Sequence, residues 1–219
     1  MNDDVVAIVP AGGRSRRLAG LVPAGGKAAV HLRGESLLAH VCRTLSGSTS
    51  RVIVVAAAEQ PLPPLPVPVE VVRDRSADRG PLAAIHDGLA HALAASSPPR
   101  IAVVASCDVP HLAPAVVELL IERARGHKAA WVVPELGGHP QPLVSALATS
   151  LVGRLAAGLA AGIESPRRLF AEMRSADPAS VAWLSEAELA LVDPALASFA
   201  DIDTPADFRR LGSGGIPPS

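Results

Sequence analysis

Short runs of β-branched and other apolar residues alternate with longer stretches of helical periodicity along almost the whole chain, and this alternation limits the possible folds more than any other feature. It is the pattern of βαβ units, which assemble into a mostly parallel sheet covered by helices. Residues 5–9, 51–57 and 69–72 read as the first three strands, and the wholly apolar run 101–105 reads as a central one. Residues 130–133 and 143–147 read as two more, with Gly137 and Gly138 in the turn between them. Ser36 is placed to cap a helix whose apolar positions are Leu37, Leu38, Val41 and Leu45. Gly80-Pro81 opens a second helix, with Leu82, Ile85, Leu89 and Leu93 as its buried stripe, and Pro114 opens a third. Residues 151–161 read as an Ala- and Leu-rich helix, and 61–66, Pro-Leu-Pro-Pro-Leu-Pro, as a stiff extended connector.

Hydrophobic residues make up 49% of the 219 but aromatics only 2%, so the core must be built from Ala, Val, Leu and Ile. That suits a parallel sheet between Ala-rich helices, and the expected fold is a three-layer, Rossmann-like α/β domain with a mostly parallel mixed sheet. The expectation is one domain over residues 1–211 and a disordered tail over 212–219. A formal charge of −1 leaves no basic footprint for a nucleic-acid backbone, so neither DNA nor RNA is an expected partner. Cys42 and Cys107 have no metal-ligand or disulfide spacing, no stretch reads as a signal peptide or membrane span, and a cytoplasmic protein is expected.

The first strand runs into Pro10-Ala11-Gly12-Gly13-Arg14-Ser15-Arg16-Arg17-Leu18. Paired glycines allow close backbone approach and arginines add permanent charge, a combination suited to phosphate; the alternative is a solvated loop that needs glycine to turn. The spacing is neither the G-x-G-x-x-G of dinucleotide folds nor that of a P-loop, for which 20–28 has one residue too many and Ala28 in place of Ser or Thr. Of 20 basic residues only Lys27 and Lys128 are lysines. Lys27, beside Gly26, is therefore a candidate phosphate contact, an ordinary exposed lysine being the alternative. Asp108 follows the most apolar strand, at the sheet edge where ligands bind, and can hold Mg²⁺ or simply cap its loop. Asp201 and Asp203 alternate on an extended segment before Thr204-Pro205, so they can face a metal together or mark a helix start. The histidines form no triad or metal spacing, and His139 stands out only for its place beside Gly137-Gly138.

Residues 11–18, Lys27 and Cys107-Asp108-Val109-Pro110, taken in order, resemble the nucleotidyltransferase superfamily that includes the molybdenum cofactor guanylyltransferases. Asp74 with Gly80-Pro81-Leu82-Ala83, the segment 138–143, and 201–205 extend the resemblance over most of the chain. The resemblance implies that Pro10, Ala11, Gly12, Gly13, Ser15 and Lys27 hold a triphosphate, and that Asp74, Gly80, Pro81 and Leu82 hold the base. It further implies that Asp108 and Asp203 bind Mg²⁺, and that Arg17, Lys27 and Asp108 carry catalysis. The implied substrates are GTP and a phosphorylated pterin, with contact to other molybdenum cofactor enzymes.

This sequence also departs from that group. The stretch 18–27 is longer, Pro10 stands where Leu is usual, Ala57 where an Asn would help hold the nucleotide, and Asp201 and Asp203 where a pair of Asn is usual. Pro10 and the longer loop resemble cytidylyltransferases acting on molybdopterin or a methylerythritol-type phosphate, which form the first alternative. A catalytically silent nucleotide-binding protein is the second.

Overall fold

Strand β1 (Val5–Pro10) is buried along its whole length, with Val5, Ala7 and Val9 facing one apolar core and Val6 and Ile8 another. Such a strand must lie inside a sheet covered on both faces. In the computed structural model, which describes residues 2–12, 22–65, 67–74, 79–202, 204 and 206–207, β1 pairs in parallel with both of its neighbours. They are β4 (Arg51–Ala57) and β6 (Ile101–Ala105). Beyond β4 lies β5 (Glu70–Asp74); beyond β6 come β9 (Val144–Ala148), β7 (Trp131–Leu136) and β10 (Val181–Leu184), and the short β8 (His139–Pro140) joins β7. β9 runs antiparallel to both β6 and β7, which makes this sheet of eight strands mixed but mostly parallel. A separate hairpin pairs β2 (His31–Leu32) with β3 (Glu35–Ser36).

Helices α1 (Leu37–Ser46), α3 (Pro114–Gly126) and α6 (Glu186–Ala190) cover the first face, burying Leu38, Val41, Leu45, Val116, Leu120 and Leu189. Helices α2 (Gly80–Leu93), α4 (Val152–Ala160) and α5 (Pro166–Ala176) cover the second, burying Leu82, Ile85, Leu89, Leu155, Leu169 and Phe170. This is the expected three-layer architecture. Ser36 caps α1, its hydroxyl accepting from the Ala39 amide at 3.2 Å. Ser185 and Glu188 form a capping box on α6, and those hydrogen bonds, with Arg123 beside it, hold the Glu188 carboxyl at about 2.

The third strand lies slightly later than the apolar run suggests, because β5 pairs with β4 through Arg73 and Asp74 and so ends on Asp74. β10, α5, α6 and the β2–β3 hairpin lie outside the elements read from the sequence. Among the described residues no helix is long and apolar enough to cross a membrane.

Gly88 sets how closely α2 lies on the sheet. A methyl added there would fall 2.7 Å from Ile8 Cγ2 and 3.0 Å from Val55 Cγ2. Branched methyls on paired strands cannot swing aside, so overpacking of about 1–3 kcal/mol outweighs the gain of about 1 kcal/mol in helix propensity. Gly88→Ala is therefore expected to lower Tm by several degrees, at about 2–4 °C per kcal/mol for a chain of this size. Calorimetry showing an unchanged or higher Tm would contradict this packing.

Candidate active site

Because β1, β4, β5 and β6 are parallel, their C-terminal ends open on one edge of the sheet. The chain leaves β1 through α1, on the first face, to reach β4; it returns from β5 through α2, on the second face, to β6 on the far side of β1. The strand order therefore reverses at β1. Loops that diverge at such a point leave a crevice for ligands.

The turn out of β1 is drawn tightly against β4. The amides of Ala11 and Gly12 both donate to the Val55 carbonyl, at 2.8 and 3.2 Å, and a Cβ on Gly12 would sit 3.3 Å from the Ala57 nitrogen. Pro10 has no N–H, and its carbonyl accepts from the Cys107 amide at 3.3 Å. These residues bring the backbone close to its neighbours, and the Ala11 and Gly12 amides are already committed to β4. Gly13, Ser15 and Arg17 lie outside the described residues.

Gln60, which the sequence did not single out, ties this turn to the segment before Lys27. Its Nε2 donates to the carbonyls of Ala11 and Gly25, both at 2.9 Å, and its Oε1 accepts from the Ala57 amide at 3.2 Å. Gly25 allows the approach, since a Cβ there would come within 2.7 Å of the Pro61 carbonyl oxygen. The start of the proline-rich connector thus serves as a wall against which the segment before Lys27 is fixed.

Lys27 stands in a single helical turn, Gly26–Ala29, and reaches across to the loop after β6. Its Nζ donates to Asp108 Oδ2 at 2.8 Å, and the two side chains are 14% and 16% exposed. The Ser106 hydroxyl donates to Asp108 Oδ1, and the Ser106 amide is fixed by the Leu143 carbonyl at 2.9 Å. Both carboxylate oxygens are therefore oriented. The Asp108 carbonyl accepts from the Ile202 amide at 3.2 Å, and Ile202 is buried with Val30 and Leu37. That contact carries the Asp201 segment to the same loop; Asp203 lies outside the described residues.

No group of three or more His, Cys, Asp or Glu side chains among the described residues could hold a metal ion. A single oriented carboxylate nevertheless suits Mg²⁺, which prefers oxygen, keeps several waters and shares its coordination with substrate phosphates. Neither cysteine competes for such a role. Burial pushes the Cys42 thiol up to about 12, and burial followed by the Asp108 charge raises Cys107 further still.

Asp74 ends β5, three strands from β6 along the same edge. Gly80 has φ of 75°, and a Cβ there would meet the Glu164 carbonyl oxygen at 2.8 Å. Pro81 is exposed beside it. The Leu82 side chain is fully buried in the second core and its amide donates to the Glu164 carbonyl at 3.2 Å, so it anchors the start of α2. His139 is exposed on β8, next to Gly137 and Gly138 in their left-handed turn.

A mostly parallel mixed sheet of eight strands flanked by helices on both faces is the fold of nucleotidyltransferases. The chain belongs to the MobA-like NTP transferase domain family, whose description matches residues 7–178. It is 34% identical over 203 residues to a protein of Mycobacterium marinum named "Probable molybdenum cofactor guanylyltransferase", covering 92% of each chain. A Mycobacterium tuberculosis protein of the same name is 36% identical over 160 residues, 72% of this chain and 75% of that one. Among solved structures, the molybdopterin-guanine dinucleotide biosynthesis protein A of Archaeoglobus fulgidus superposes with a TM-score of 0.74 at 25% identity, covering 95% of this chain and 97% of that one. The 2-C-methyl-D-erythritol 4-phosphate cytidylyltransferase of Thermus thermophilus shares the fold, with a TM-score of 0.64 at 19% identity over 97% and 98% of the two chains.

Gln60→Ala removes three backbone contacts that hold the first turn and the Lys27 segment together. It is expected to raise KM for the nucleoside triphosphate about tenfold, on the scale of one or two lost hydrogen bonds to oriented groups, with little change in Tm. Gln60→Glu, which keeps the acceptor but loses both Nε2 donors, should behave alike. A KM near that of the wild type in both variants would contradict the positioning role.

Proposed function

We propose that this protein is a molybdenum cofactor guanylyltransferase that transfers GMP from GTP to the terminal phosphate of molybdopterin or its molybdenum form. The observation that carries this reading is the Lys27–Asp108 pair at the switch point of a MobA-like NTP transferase domain. The names of the mycobacterial relatives support the guanine and pterin parts of it.

In this reading the loop after β1 encloses the triphosphate. Asp74 lies three strand spacings from β6, about 14 Å, a span comparable with an extended nucleoside triphosphate. A carboxylate at Asp74 accepts from both N1–H and the exocyclic amine of guanine, whereas the O2 and N3 of cytosine would set acceptor against acceptor. Asp108, oriented by Ser106, would hold Mg²⁺, which supplies positive charge to the phosphate oxygens. A phosphate oxygen of the acceptor attacks the α-phosphorus of GTP, forming the new P–O bond as the bond to the bridging oxygen of pyrophosphate breaks. Lys27 and Arg17 stabilise the negative charge that accumulates on the departing pyrophosphate. No covalent bond to the enzyme is needed.

The test is incubation of the protein with molybdopterin, each of GTP, CTP, ATP and UTP, and Mg²⁺, followed by identification of the dinucleotide product. The guanine dinucleotide is expected, and Asp74→Ala should reduce the GTP-over-CTP preference by about tenfold or more, the scale of a charged hydrogen bond. Equal turnover of CTP and GTP by the wild type would overturn the guanine assignment in favour of a cytidylyltransferase, the reading that Pro10 favours.

Asp108→Asn keeps the side-chain shape and removes the charge. It is expected to fold normally and to lose most turnover, as is the wild type in excess EDTA, since metal stabilisation of the transition state is worth several kcal/mol. Turnover by Asp108→Asn within about threefold of wild type would contradict its role.

A further inference from the structure

A cleft of about 820 Å³ has neither Lys27 nor Asp108 in its lining. Its walls follow both of those residues along the chain: His31 and the β2–β3 hairpin come four residues after Lys27, and Pro110 two residues after Asp108. One wall is apolar and stiff, made by Leu32, Leu112 and Pro63-Pro64-Leu65 of the extended connector. The rest of the lining is rich in basic side chains, Arg33, Arg43, His31, His40 and His111, with Glu35 as the only acidic residue among them.

Charge is unevenly balanced within this lining. Glu35 is committed to Arg43, with which it is in close contact, and it also faces His40 Nδ1 at 3.4 Å. No acidic side chain among the described residues pairs with Arg33. Burial, followed by the positive charges of His40 and Arg33, holds the His111 imidazole below the ordinary histidine range, and the opposing pull of Asp193 does not cancel them. Two guanidiniums and three imidazoles thus face a single carboxylate in this lining.

The backbone supplies a separate observation. Arg33 has φ of 51° and Gly34 φ of 87°, in a two-residue turn between paired Leu32 and Glu35. Asn-Gly is the pair that such a turn favours, because both residues must enter the left-handed region. An arginine in the first position costs conformational energy that glycine or asparagine would spare. Arg33 nevertheless occupies that position and lines the cleft.

We propose that this cleft is a binding site for a small organic phosphate, its phosphate held by Arg33 and His111 and its apolar body against the Leu32, Leu112 and Pro64 wall. A guanidinium fork together with imidazole donors suits the three oxygens of a phosphate monoester, and the volume is in the range of small-molecule pockets. The proposal does not depend on which base or acceptor the reaction uses.

The test uses phenyl phosphate and inorganic phosphate as probes, titrated without metal into the full chain while imidazole resonances are followed by NMR. Phenyl phosphate is expected to shift His111 saturably, to move its titration to higher pH against the surrounding His31, Arg33, Glu35, His40, Arg43 and Asp193, and to bind more tightly than inorganic phosphate. Arg33→Gly should weaken binding about tenfold while leaving Tm unchanged or higher, because the substitution relieves the turn. His111→Gln, which leaves the turn intact, should weaken binding as well, and Lys27→Ala should not. An unmoved His111 resonance, equal affinity for inorganic phosphate, full binding by Arg33→Gly, or loss of the His111 shift in Lys27→Ala would each overturn the proposal.

Discussion

β1 hydrogen-bonds in parallel to β4 on one side and to β6 on the other, and the positions of the remaining elements follow from that double pairing. Two parallel neighbours cannot be reached by hairpins; each needs a crossover. One runs over the first face as α1 and the other over the second as α2, so the chain diverges above the end of β1. The same geometry requires small residues near that end. Gly12 lies against the backbone of β4, and Gly88 lets α2 lie on Ile8 and Val55. A sheet built from Val, Ile and Ala with few aromatics is thin enough for these approaches, and the crevice at its edge is the consequence.

The parallel core was legible because its strands carry wholly apolar runs, as in residues 101–105, and because α1, α2 and α3 begin at recognisable signals: Ser36, Gly80-Pro81 and Pro114. Two missed helices carry equally recognisable starts, Ser165-Pro166 for α5 and the Ser185–Glu188 capping box for α6, whereas the missed strands have no such signal. β2 and β3 are two residues each, too short for any period, and their turn uses Arg33-Gly34 where Asn-Gly would have announced it. β10 is an edge strand whose burial is mixed, and it is held in place by pairing with the buried Trp131 to Pro134 stretch rather than by its own pattern. β5 shifted toward Asp74 for a related reason, because its partner β4 sets the register and its own apolar run does not.

The candidate site divides in the same way. Lys27 was conspicuous because lysine is rare in an arginine-rich chain, and Asp108 because it follows the most apolar strand; the structure joins them at 2.8 Å. Gln60 and Ser106 act through hydrogen bonds to groups distant in sequence or to the carboxylate of a near neighbour, and no spacing rule reports such bonds. Leu82 shows the opposite case: a residue within a recognisable segment can serve that segment from the core, here by anchoring the first turn of α2.

The Lys27–Asp108 pair also bears on how the proposed reaction's ligands assemble. Each charge is largely withdrawn from solvent, and each is compensated by the other before any ligand arrives. A triphosphate arriving alone would draw Lys27 toward its oxygens and leave Asp108 facing like charge. A divalent cation arriving alone would compete with Lys27 for the Asp108 carboxylate. Were the two to arrive together, a phosphate could replace the carboxylate at Lys27 as the metal replaced the ammonium at Asp108, and neither would lose the opposite charge it now has in the other. Exchanges that keep partly buried charges paired avoid the desolvation cost of separating them. Ser106 meets Oδ1 and Lys27 meets Oδ2, so the hydroxyl would keep the carboxylate aimed while the partner on the other oxygen changed.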